Sequence, residues 1–288
     1  MTFQEYLQTK ALSNSSIQIY SRYLSNFHHW LETESLSAEK TTYTDLLAYI
    51  EALREQGLHP KTINQQLGSL RHYYQYLIHQ GRSSQNPAQG LYLKGIIRTV
   101  PHHLLSEQQL QAIEASYQPQ NLAQARNQVM LSLIIHQALR LTELEQLPLQ
   151  ALSSTQLQIP ASQQSTARCL MLQQDQPQLF QDYLHRIRPM ILAQRSMPSD
   201  HLILNLQDGK SLKNALYSLM SYLRRLHPYL KNASQLRQSR IRLWLETYDL
   251  RQVQHKAGHK YISSTERYAF QRIKELQKQL RKFHPMGQ

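Results

Sequence analysis

The most informative segment of the chain reads Ala257-Gly258-His259-Lys260-Tyr261-Ile262-Ser263-Ser264-Thr265-Glu266-Arg267-Tyr268. Gly258 predicts a break between two helices, because glycine is unfavourable in a helix interior. His255 and His259 stand four residues apart, a spacing that suits two zinc ligands on one continuous helix. Because Gly258 lies between them and the glutamate of the metalloprotease motif is absent, we expect no metal site.

Positive charge is concentrated around this segment. The chain carries 32 Lys and Arg against 19 Asp and Glu, a net charge of +13. Residues 209–288 hold 17 basic and 4 acidic residues and account for the whole excess. This predicts a polyanionic partner, most commonly nucleic acid, because Lys and Arg on phosphates release condensed counterions. A membrane surface is the alternative, but no amphipathic anchor or lipidation motif supports it.

Other features of composition favour a cytoplasmic protein. Cys169 is the only cysteine, which excludes an intrachain disulfide and a Cys-rich zinc site. The first residues lack a basic segment followed by an apolar one, so no secretory signal is predicted. The longest apolar run, Val129–Ile135, is too short to span a bilayer.

The first hundred residues predict helices. Apolar residues recur at spacings of three and four in three stretches, 17–31 after a cap within 12–15, 46–53, and 63–77. We expect Thr44 or Asp45 to cap the second helix and Gly57 to end it. Pro60 suits the first turn of the third helix, and Gly81 suits its end.

The rest of the chain predicts a linker and then a mixed pattern. The stretch Lys94 to Leu105 contains Gly95 and Pro101 and is typical of a linker. The predicted elements after it are helices over 106–113 and 122–139, strands over 156–160 and 168–172, a possible third strand over 202–204, and helices from 212 to 283 with breaks near His227-Pro228 and Gly258. The expected fold is mainly α, with a small antiparallel β-sheet in the second half.

Three segments together resemble the tyrosine recombinase (phage integrase) family. Ala138-Leu139-Arg140-Leu141-Thr142-Glu143-Leu144 resembles the family box G-L-R-x-x-E-L, which holds the first catalytic arginine. Leu236-Arg237 occupies the place of the second box, H-x-L-R-H. The segment from Gly258 to Tyr268 resembles L-G-H-x-x-x-x-T-T-x-x-Y, and it is the most specific of the three.

The N-terminal residues are similar to the same family. Leu58-His59-Pro60-Lys61-Thr62-Ile63-Asn64, Leu70-Arg71-His72-Tyr73-Tyr74 and Asn86-Pro87-Ala88 resemble its helical core-binding domain. The resemblance implies an N-terminal helical, SAM-like DNA-binding domain over 1–93, a linker over 94–104, and a mostly helical catalytic domain over 105–288. In size the chain is closest to compact Xer-like recombinases.

The resemblance implies phosphoryl transfer between DNA and protein. Tyr268 would attack the scissile phosphate and form a 3′-phosphotyrosine, while Arg140 and Arg237 hold the phosphate oxygens. His259 would donate to the phosphate or help to activate the phenol. Because the covalent link conserves the energy of the broken bond, we expect no nucleotide cofactor.

Three positions depart from the family pattern. The family lysine, which protonates the leaving 5′-oxygen, is replaced: strand register places Gln163 there, and the chain has no lysine between Lys94 and Lys210. Ser234 and Gln238 replace the two histidines of the second box. A neutral amide cannot deliver a proton, and loss of a general acid typically costs about 10²–10⁴-fold in rate.

Other groups are possible substitutes for the missing acid. Arg168 on the following strand is close in sequence, but a guanidinium is a poor acid. Lys210 and Lys256 are alternatives in space.

Further basic and polar residues are candidates for DNA contacts. They are Lys61, Asn64, Gln65 and Arg71 on one N-terminal helix, and Arg240, Arg242, Arg251, Lys256, Lys260 and Arg267 in the basic segment. A solvated face is the alternative for each of them.

The expected partner is double-stranded DNA carrying paired recombination sites. Residues 272–283 place Ile273, Leu276, Leu280 and Phe283 at helical spacing, and by resemblance this tail would pack on a neighbouring subunit of a tetramer. Packing on its own domain is the alternative. The resemblance also allows a second recombinase or an accessory protein as partner.

Two functions from different classes fit these residues. The first is a site-specific recombinase, from a mobile element or its host. The second is a DNA-binding protein that keeps the fold but has lost efficient chemistry, which the replaced lysine and histidines favour. A topoisomerase-like activity of the same site is a third possibility. Taken singly, Arg140 would more often cap a helix end, and Tyr268 would more often be a core aromatic.

Overall fold

A computed structural model describes residues 1–95, 103–173, 175–209 and 211–269. The chain divides into two compact units, Met1–Arg98 and Thr99–Gln288. Each unit has its own hydrophobic core. Residues 96–102 of the predicted linker and residues 272–283 of the predicted tail helix lie outside the described residues.

The first unit is helical. Its helices are α1 (Phe3–Thr9), α2 (Asn14–Thr33), α3 (Tyr43–Glu55) and α4 (Pro60–His79). Gly57 and Gly81 follow the ends of α3 and α4 with φ of +74° and +69°, a left-handed conformation that favours glycine. The cap of α3 is Thr42 and not Thr44: its hydroxyl accepts from the Asp45 backbone N–H, and the Asp45 carboxylate accepts from the Thr42 N–H.

The second unit combines helices with one small sheet. Its elements are α5 (Glu107–Ala115), α6 (Leu122–Gln137), α7 (Leu141–Gln146), β1 (Gln156–Ile159), β2 (Arg168–Met171), α8 (Gln176–Asp182), α9 (Arg188–Ala193), α10 (Lys213–Leu226), α11 (Ala233–Thr247) and α12 (Leu250–Lys256). A π-helical turn, Tyr183–Ile187, joins α8 to α9. Residues 263–269 are helical and are called here the Tyr268 helix.

The predicted sheet is confirmed in two strands and is wrong in the third. β1 pairs antiparallel with β2, with Gln156 opposite Met171 and Ile159 opposite Arg168. Residues 202–204 do not form a strand: an isolated bridge joins the preceding His201 to Pro148, and the Leu202 backbone N–H donates to the Leu147 carbonyl at 2.8 Å. The apolar residues of 202–204 are buried in the core as irregular chain, so their hydrophobicity reflects burial and not strand pairing.

The described helices in the second half of this unit are separated by three breaks. The breaks near His227-Pro228 and Gly258 are confirmed. A further break, which the periodicity did not predict, separates α11 from α12 at Tyr248–Asp249. There the Asp249 carboxylate accepts from the backbone N–H groups of Arg251 and Gln252, both at 2.8 Å, so a side-chain cap starts a new helix without glycine or proline.

Helix α6 lies at the centre of this unit. Its middle is buried without interruption from Val129 to Ile135, which accounts for the apolar run in the sequence. The helix ends at Ala138, whose backbone is left-handed at φ 52° and ψ 41°. This sharp end turns the chain directly into Arg140 and α7.

Within the described residues, no helix is both long enough and apolar enough to cross a membrane.

Candidate active site

Tyr268 is almost fully buried, with 1% of its surface exposed. Its ring stacks on the imidazole of His259, with the ring centroids 6.3 Å apart and the planes 10° from parallel. The guanidinium of Arg267 donates a hydrogen bond of 3.1 Å to the Tyr268 hydroxyl. The ring of the predicted nucleophile thus packs in a small apolar cluster with Ala138, Ile241, Val253 and Ala257, while its hydroxyl meets a guanidinium.

His259 is held in the neutral form. Its Nδ1 lies 2.9 Å from the Thr265 hydroxyl, and its Nε2 lies 3.4 Å from a guanidinium nitrogen of Arg237. Since a guanidinium only donates, Nε2 accepts and the ring proton belongs on Nδ1. Burial, followed by the charges of Arg237 and Arg140, lowers the pKa of His259 to about 3.

Arg140 follows the left-handed end of α6 and stands at the start of α7. Its backbone N–H donates to the Glu143 carboxylate at 2.8 Å, and its side chain makes no capping hydrogen bond to α7. The Nη1 atom is buried without a hydrogen-bond partner and lies 3.7 Å from Glu143. Arg140 thus presents an unpaired donor, which differs from the helix-end cap that its sequence position suggests in isolation.

Arg237 connects two chain ends at the site. From α11 its guanidinium donates to the carbonyl of Ala138 after α6 and, at 2.8 Å, to the carbonyl of Ala257 after α12. Burial, together with the nearby charge of Arg140, lowers the pKa of Arg237 to about 9. The side chain is therefore still protonated at neutral pH.

A buried ion pair supports these groups from behind. Arg168 on β2 donates to both oxygens of Glu143 on α7, at 2.7 and 3.1 Å, and both side chains are at most 1% exposed. Burial alone would raise the pKa of Glu143, but the hydrogen bonds from Arg168 outweigh it and lower the pKa to about 2. Arg168 is thus a structural partner of Glu143.

Gly258 allows Arg168 to approach. Gly258 has a φ of +64°, and a Cβ atom there would lie 2.3 Å from an Arg168 guanidinium nitrogen. Its carbonyl accepts a hydrogen bond of 3.2 Å from the Thr166 backbone N–H, in the turn between β1 and β2. Gly258 therefore holds the turn between β1 and β2 next to His259 through this hydrogen bond.

Most of the predicted catalytic residues line one cavity of about 380 Å³. It is lined by Ile134, Leu139, Arg140, Leu141, Thr142, Gln164, Leu216, Ala233, Ser234, Arg237, Gln238, His259, Arg267 and Tyr268. Three guanidinium groups face this space. None of its described lining residues carries a carboxylate or a lysine amine, so the cavity suits an anion such as a phosphodiester.

The turn between β1 and β2 presents a different glutamine from the one predicted. Both glutamines are exposed, and Gln164 lines the cavity whereas Gln163 does not. Ser162 closes the turn by bonding Ser165 through both backbone and side chain, and the assignment of Gln163 from strand register stays a prediction. The cavity lining makes Gln164 a second candidate for the place of the family lysine.

The possible substitutes for that lysine lie elsewhere. Lys256 does not line the cavity: its amine lies over the rings of Trp244 and Tyr248, at 5.4 and 4.3 Å from their centroids. Arg168 is committed to Glu143. Lys210 lies outside the described residues.

Three of the predicted DNA contacts form hydrogen bonds inside the protein, and their contact with DNA stays a prediction. Asn64 binds the Leu93 backbone through both its amide groups, at 2.7 and 3.0 Å, and Arg71 donates to the Leu91 carbonyl at 2.7 Å. Arg240 donates to both oxygens of Glu107, at 2.7 and 2.9 Å, and to the Ile135 carbonyl. Each of these side chains secures a loop or helix that sequence spacing does not connect to it.

The other predicted contacts are placed differently. Lys61, Gln65, Arg251 and Lys260 are exposed. Arg242 forms an ion pair of 3.2 Å with Glu246, and Arg267 reaches the Tyr268 hydroxyl. The contact of Arg267 was missed because consecutive helical residues normally point in different directions.

Comparison with known proteins agrees with this geometry. The family description "Phage integrase, N-terminal SAM-like domain" matches residues 1–81. Tyrosine recombinase XerC of Oceanobacillus iheyensis is 26% identical over 295 residues, covering 99% of this chain and 95% of that protein. Tyrosine recombinase XerD of Listeria innocua is 26% identical over 288 residues, covering 96% and 94%. The chain belongs to the tyrosine recombinase family.

Solved structures show that this tyrosine recombinase shares its fold with proteins whose structures contain bound DNA. The XerH site-specific recombinase bound to palindromic difH substrate has a TM-score of 0.71 at 20% identity, over 90% of this chain and 78% of that one. The Tn1549 transposon integrase in complex with circular intermediate DNA has a TM-score of 0.65 at 13% identity, over 93% and 95%. The mainly helical fold with a small antiparallel sheet is thereby confirmed.

Proposed function

We propose that this chain is a site-specific DNA recombinase that cuts and rejoins DNA strands through a 3′-phosphotyrosine on Tyr268. The observation that carries the proposal is the common cavity, in which Tyr268 lies beside the guanidinium groups of Arg140, Arg237 and Arg267. A phenol next to several guanidinium groups, with no carboxylate among the described lining residues, is arranged for attack on a phosphate.

The reaction exchanges one phosphodiester for another. The Tyr268 oxygen attacks the scissile phosphorus, a phosphorus–oxygen bond to tyrosine forms, and the bond to the 5′-oxygen breaks. The phenol proton leaves the nucleophile, and the departing 5′-oxygen takes up a proton. The 5′-hydroxyl of a second strand later attacks the phosphotyrosine in reverse, so the chemistry needs no nucleotide cofactor.

Arg140 and Arg237 form the phosphate clamp. Arg140 carries a buried, unpaired Nη1, and a phosphate oxygen would supply the acceptor that this donor lacks. Arg237 is already fixed by the carbonyls of Ala138 and Ala257, so its charge is positioned before the substrate arrives. His259 is neutral at pH 7 and its ring proton is directed at Thr265, so it would act through Nε2 as an acceptor for the phenol proton.

The leaving oxygen lacks the usual acid. Gln164 can donate a hydrogen bond to it from the β-turn, but its amide cannot supply a proton. Ser234 takes the place of the family histidine on the cavity wall and would hydrogen-bond a phosphate oxygen. We infer that the leaving oxygen takes its proton from water, which makes this step slow.

The proposed assembly is a tetramer that holds two DNA sites. Structural relatives bound to DNA support the DNA partner, among them a lambda integrase dimer on a core site. The tetramer, a role in a mobile element, and an accessory protein or second recombinase remain part of the proposal.

A second candidate function is a DNA-binding protein of the same fold without efficient chemistry. One observation favours it: among the described lining residues of the cavity there is no lysine. Both candidates predict specific DNA binding, and only the recombinase predicts covalent attachment.

A suicide substrate separates the two. Duplexes selected by the protein from a randomised library would define its site, and a nicked version of that site would trap the cleaved complex. We expect a denaturation-resistant adduct with the wild-type protein and none with Tyr268→Phe at equal DNA affinity. Tight binding of the wild type without any adduct would contradict the recombinase and favour the second candidate.

A further inference from the structure

We propose that Arg267 is a further catalytic residue, whose guanidinium stabilises the Tyr268 oxygen as the attacking phenolate. This role differs from the phosphate clamp of Arg140 and Arg237, and it rests on the proposed function. Arg267 directly precedes the nucleophile, and it is the residue that donates a hydrogen bond to the phenol oxygen.

The geometry of Arg267 is that of a side chain folded back along its own helix. Side chains of consecutive helical residues point about 100° apart, so an ordinary Arg267 would extend away from Tyr268. Instead its guanidinium carbon lies 5.0 Å from the centroid of the Tyr268 ring, and Nη2 lies 3.1 Å from the hydroxyl. Arg267 therefore covers the ring and reaches the reacting atom.

The other polar atoms of Arg267 do not compete with its hydrogen bond to the Tyr268 hydroxyl. Its Nε is buried without a hydrogen-bond partner. Within the part of the chain that the structure describes, the ion pairs include none with Arg267. Its positive charge is thus not neutralised by a described carboxylate, and it acts on the phenol and the cavity.

Other guanidinium groups near Tyr268 are committed to different partners. Arg168 binds both oxygens of Glu143, and Arg237 binds two backbone carbonyls. Arg140 lines the cavity and carries an Nη1 without a hydrogen-bond partner, 3.7 Å from Glu143. Arg267 contacts the nucleophile itself, so the cavity separates the groups that hold the phosphate from the group that holds the phenol.

Several charged or titratable groups surround the phenol from other elements. They are Arg140 before α7, Glu143 on α7, Arg168 on β2, Arg237 on α11 and His259 after α12. Glu143 and Arg168 offset each other, and His259 is neutral at pH 7. A direct, charge-assisted hydrogen bond from Arg267 therefore adds to a positive field that favours the phenolate.

The first test compares the pH profile of cleavage in Arg267 variants. Single-turnover rates on the suicide substrate, at saturating DNA, would be measured for the wild type, Arg267→Gln and Arg267→Lys. We expect Arg267→Gln to move the midpoint of the profile up by roughly one pH unit and to slow cleavage at neutral pH about tenfold. Arg267→Lys keeps the charge without the fork and should recover part of the loss.

Arg186→Gln is the matched control, because it removes one arginine from an exposed surface pair with Asp182. It should follow the wild-type profile. If Arg267 only contacts a DNA phosphate, Arg267→Gln will weaken DNA binding and leave the pH midpoint at saturating DNA unchanged. That result would overturn the proposal.

The second test needs no DNA and so separates this proposal from the recombinase function. An ortho-fluorinated tyrosine at position 268, which ionises at lower pH than tyrosine, reports its own ionisation through ¹⁹F NMR. We expect a higher midpoint with Arg267→Gln than with wild-type Arg267, in proteins whose circular dichroism spectra agree. Equal midpoints would refute the role of Arg267, whereas a shifted midpoint without a wild-type adduct would refute only the recombinase function.

Discussion

Gln163 and Gln164 are adjacent in sequence but have different surroundings in the turn between β1 and β2. Only Gln164 lines the cavity. We expect Gln164→Lys to place an ammonium group beside the leaving oxygen and to raise the single-turnover cleavage rate by about 10²-fold, the lower end of the contribution of a general acid. The rate would be measured on the suicide substrate at neutral pH.

Gln163→Lys is the matched control, since it adds the same charge one residue away on an exposed position. It should leave the rate near the wild-type value. A large gain from Gln163→Lys and none from Gln164→Lys would show that the turn presents the residue that strand register indicated.

His259 makes the stability of the second unit depend on pH. The folded state keeps this imidazole neutral down to a pKa of about 3, whereas an unfolded histidine binds a proton near pH 6.5. Its contribution is therefore complete above pH 6.5 and is lost as the pH falls below that value. We expect the free energy of unfolding to decrease by about 2 kcal/mol between pH 7.5 and 5 on account of this residue.

Urea unfolding followed by Trp244 fluorescence, in a Trp30→Phe background, would measure this dependence. His259→Gln should remove the His259 part of the slope. His255→Gln, at an exposed position on α12, should keep it. Identical slopes for the wild type and His259→Gln would be inconsistent with a buried, neutral imidazole.

For single residues, the order of the motifs in the sequence indicated the candidate site. The structure places five of these residues around one cavity: Tyr268, Arg140, Arg237, His259 and Ser234. Contacts between residues far apart in sequence were not predictable in the same way. The pairing of Arg168 with Glu143 spans 25 positions and depends on β2 lying against α7. No local pattern reports such a contact.

Among the elements, the end of α12 depends on a glycine. Gly258→Ala would place a Cβ atom 2.3 Å from the Arg168 guanidinium and would keep a left-handed backbone without glycine. We expect a loss of roughly 2–4 kcal/mol in the free energy of unfolding, from backbone strain and steric overlap together. The same Trp244 fluorescence experiment measures it.

Gly209→Ala is the control for this change. Among the described residues a Cβ atom there would meet Asn205 alone, at an ordinary 3.6 Å, and the backbone is not left-handed. Its effect should stay within about 0.5 kcal/mol. Equal effects of the two substitutions would mean that Arg168 does not need the space that Gly258 leaves.

Periodicity predicted the elements whose faces are sharply divided between core and solvent, such as α2, α3 and α4. It was weaker where tertiary contacts decide the structure. The residues at 202–204 are apolar because they are buried, yet they have no strand partner among the described residues. Asn64 suited a groove-facing position on α4 by sequence, but the backbone of Leu93 returns beside it and takes both its amide groups.

For the whole molecule, the charge distribution predicted a polyanion-binding region but not which charges are available to the polyanion. Arg237 is buried among carbonyls, and Arg240 is paired with Glu107. Lys260 and Arg251 are exposed. Net charge counts all of these alike, whereas burial and pairing divide them into structural and accessible groups.

The central claim is that Tyr268 becomes joined to DNA. The trapped adduct would be digested with nuclease and trypsin, and the modified peptide identified by mass spectrometry. Because Lys260 and Arg267 flank the two nearest tyrosines, trypsin separates Tyr261 and Tyr268 into different peptides. We predict a nucleotide 3′-phosphate on the peptide that begins at Tyr268. The same mass on the peptide that begins at the exposed Tyr261, or on neither, would contradict the claim.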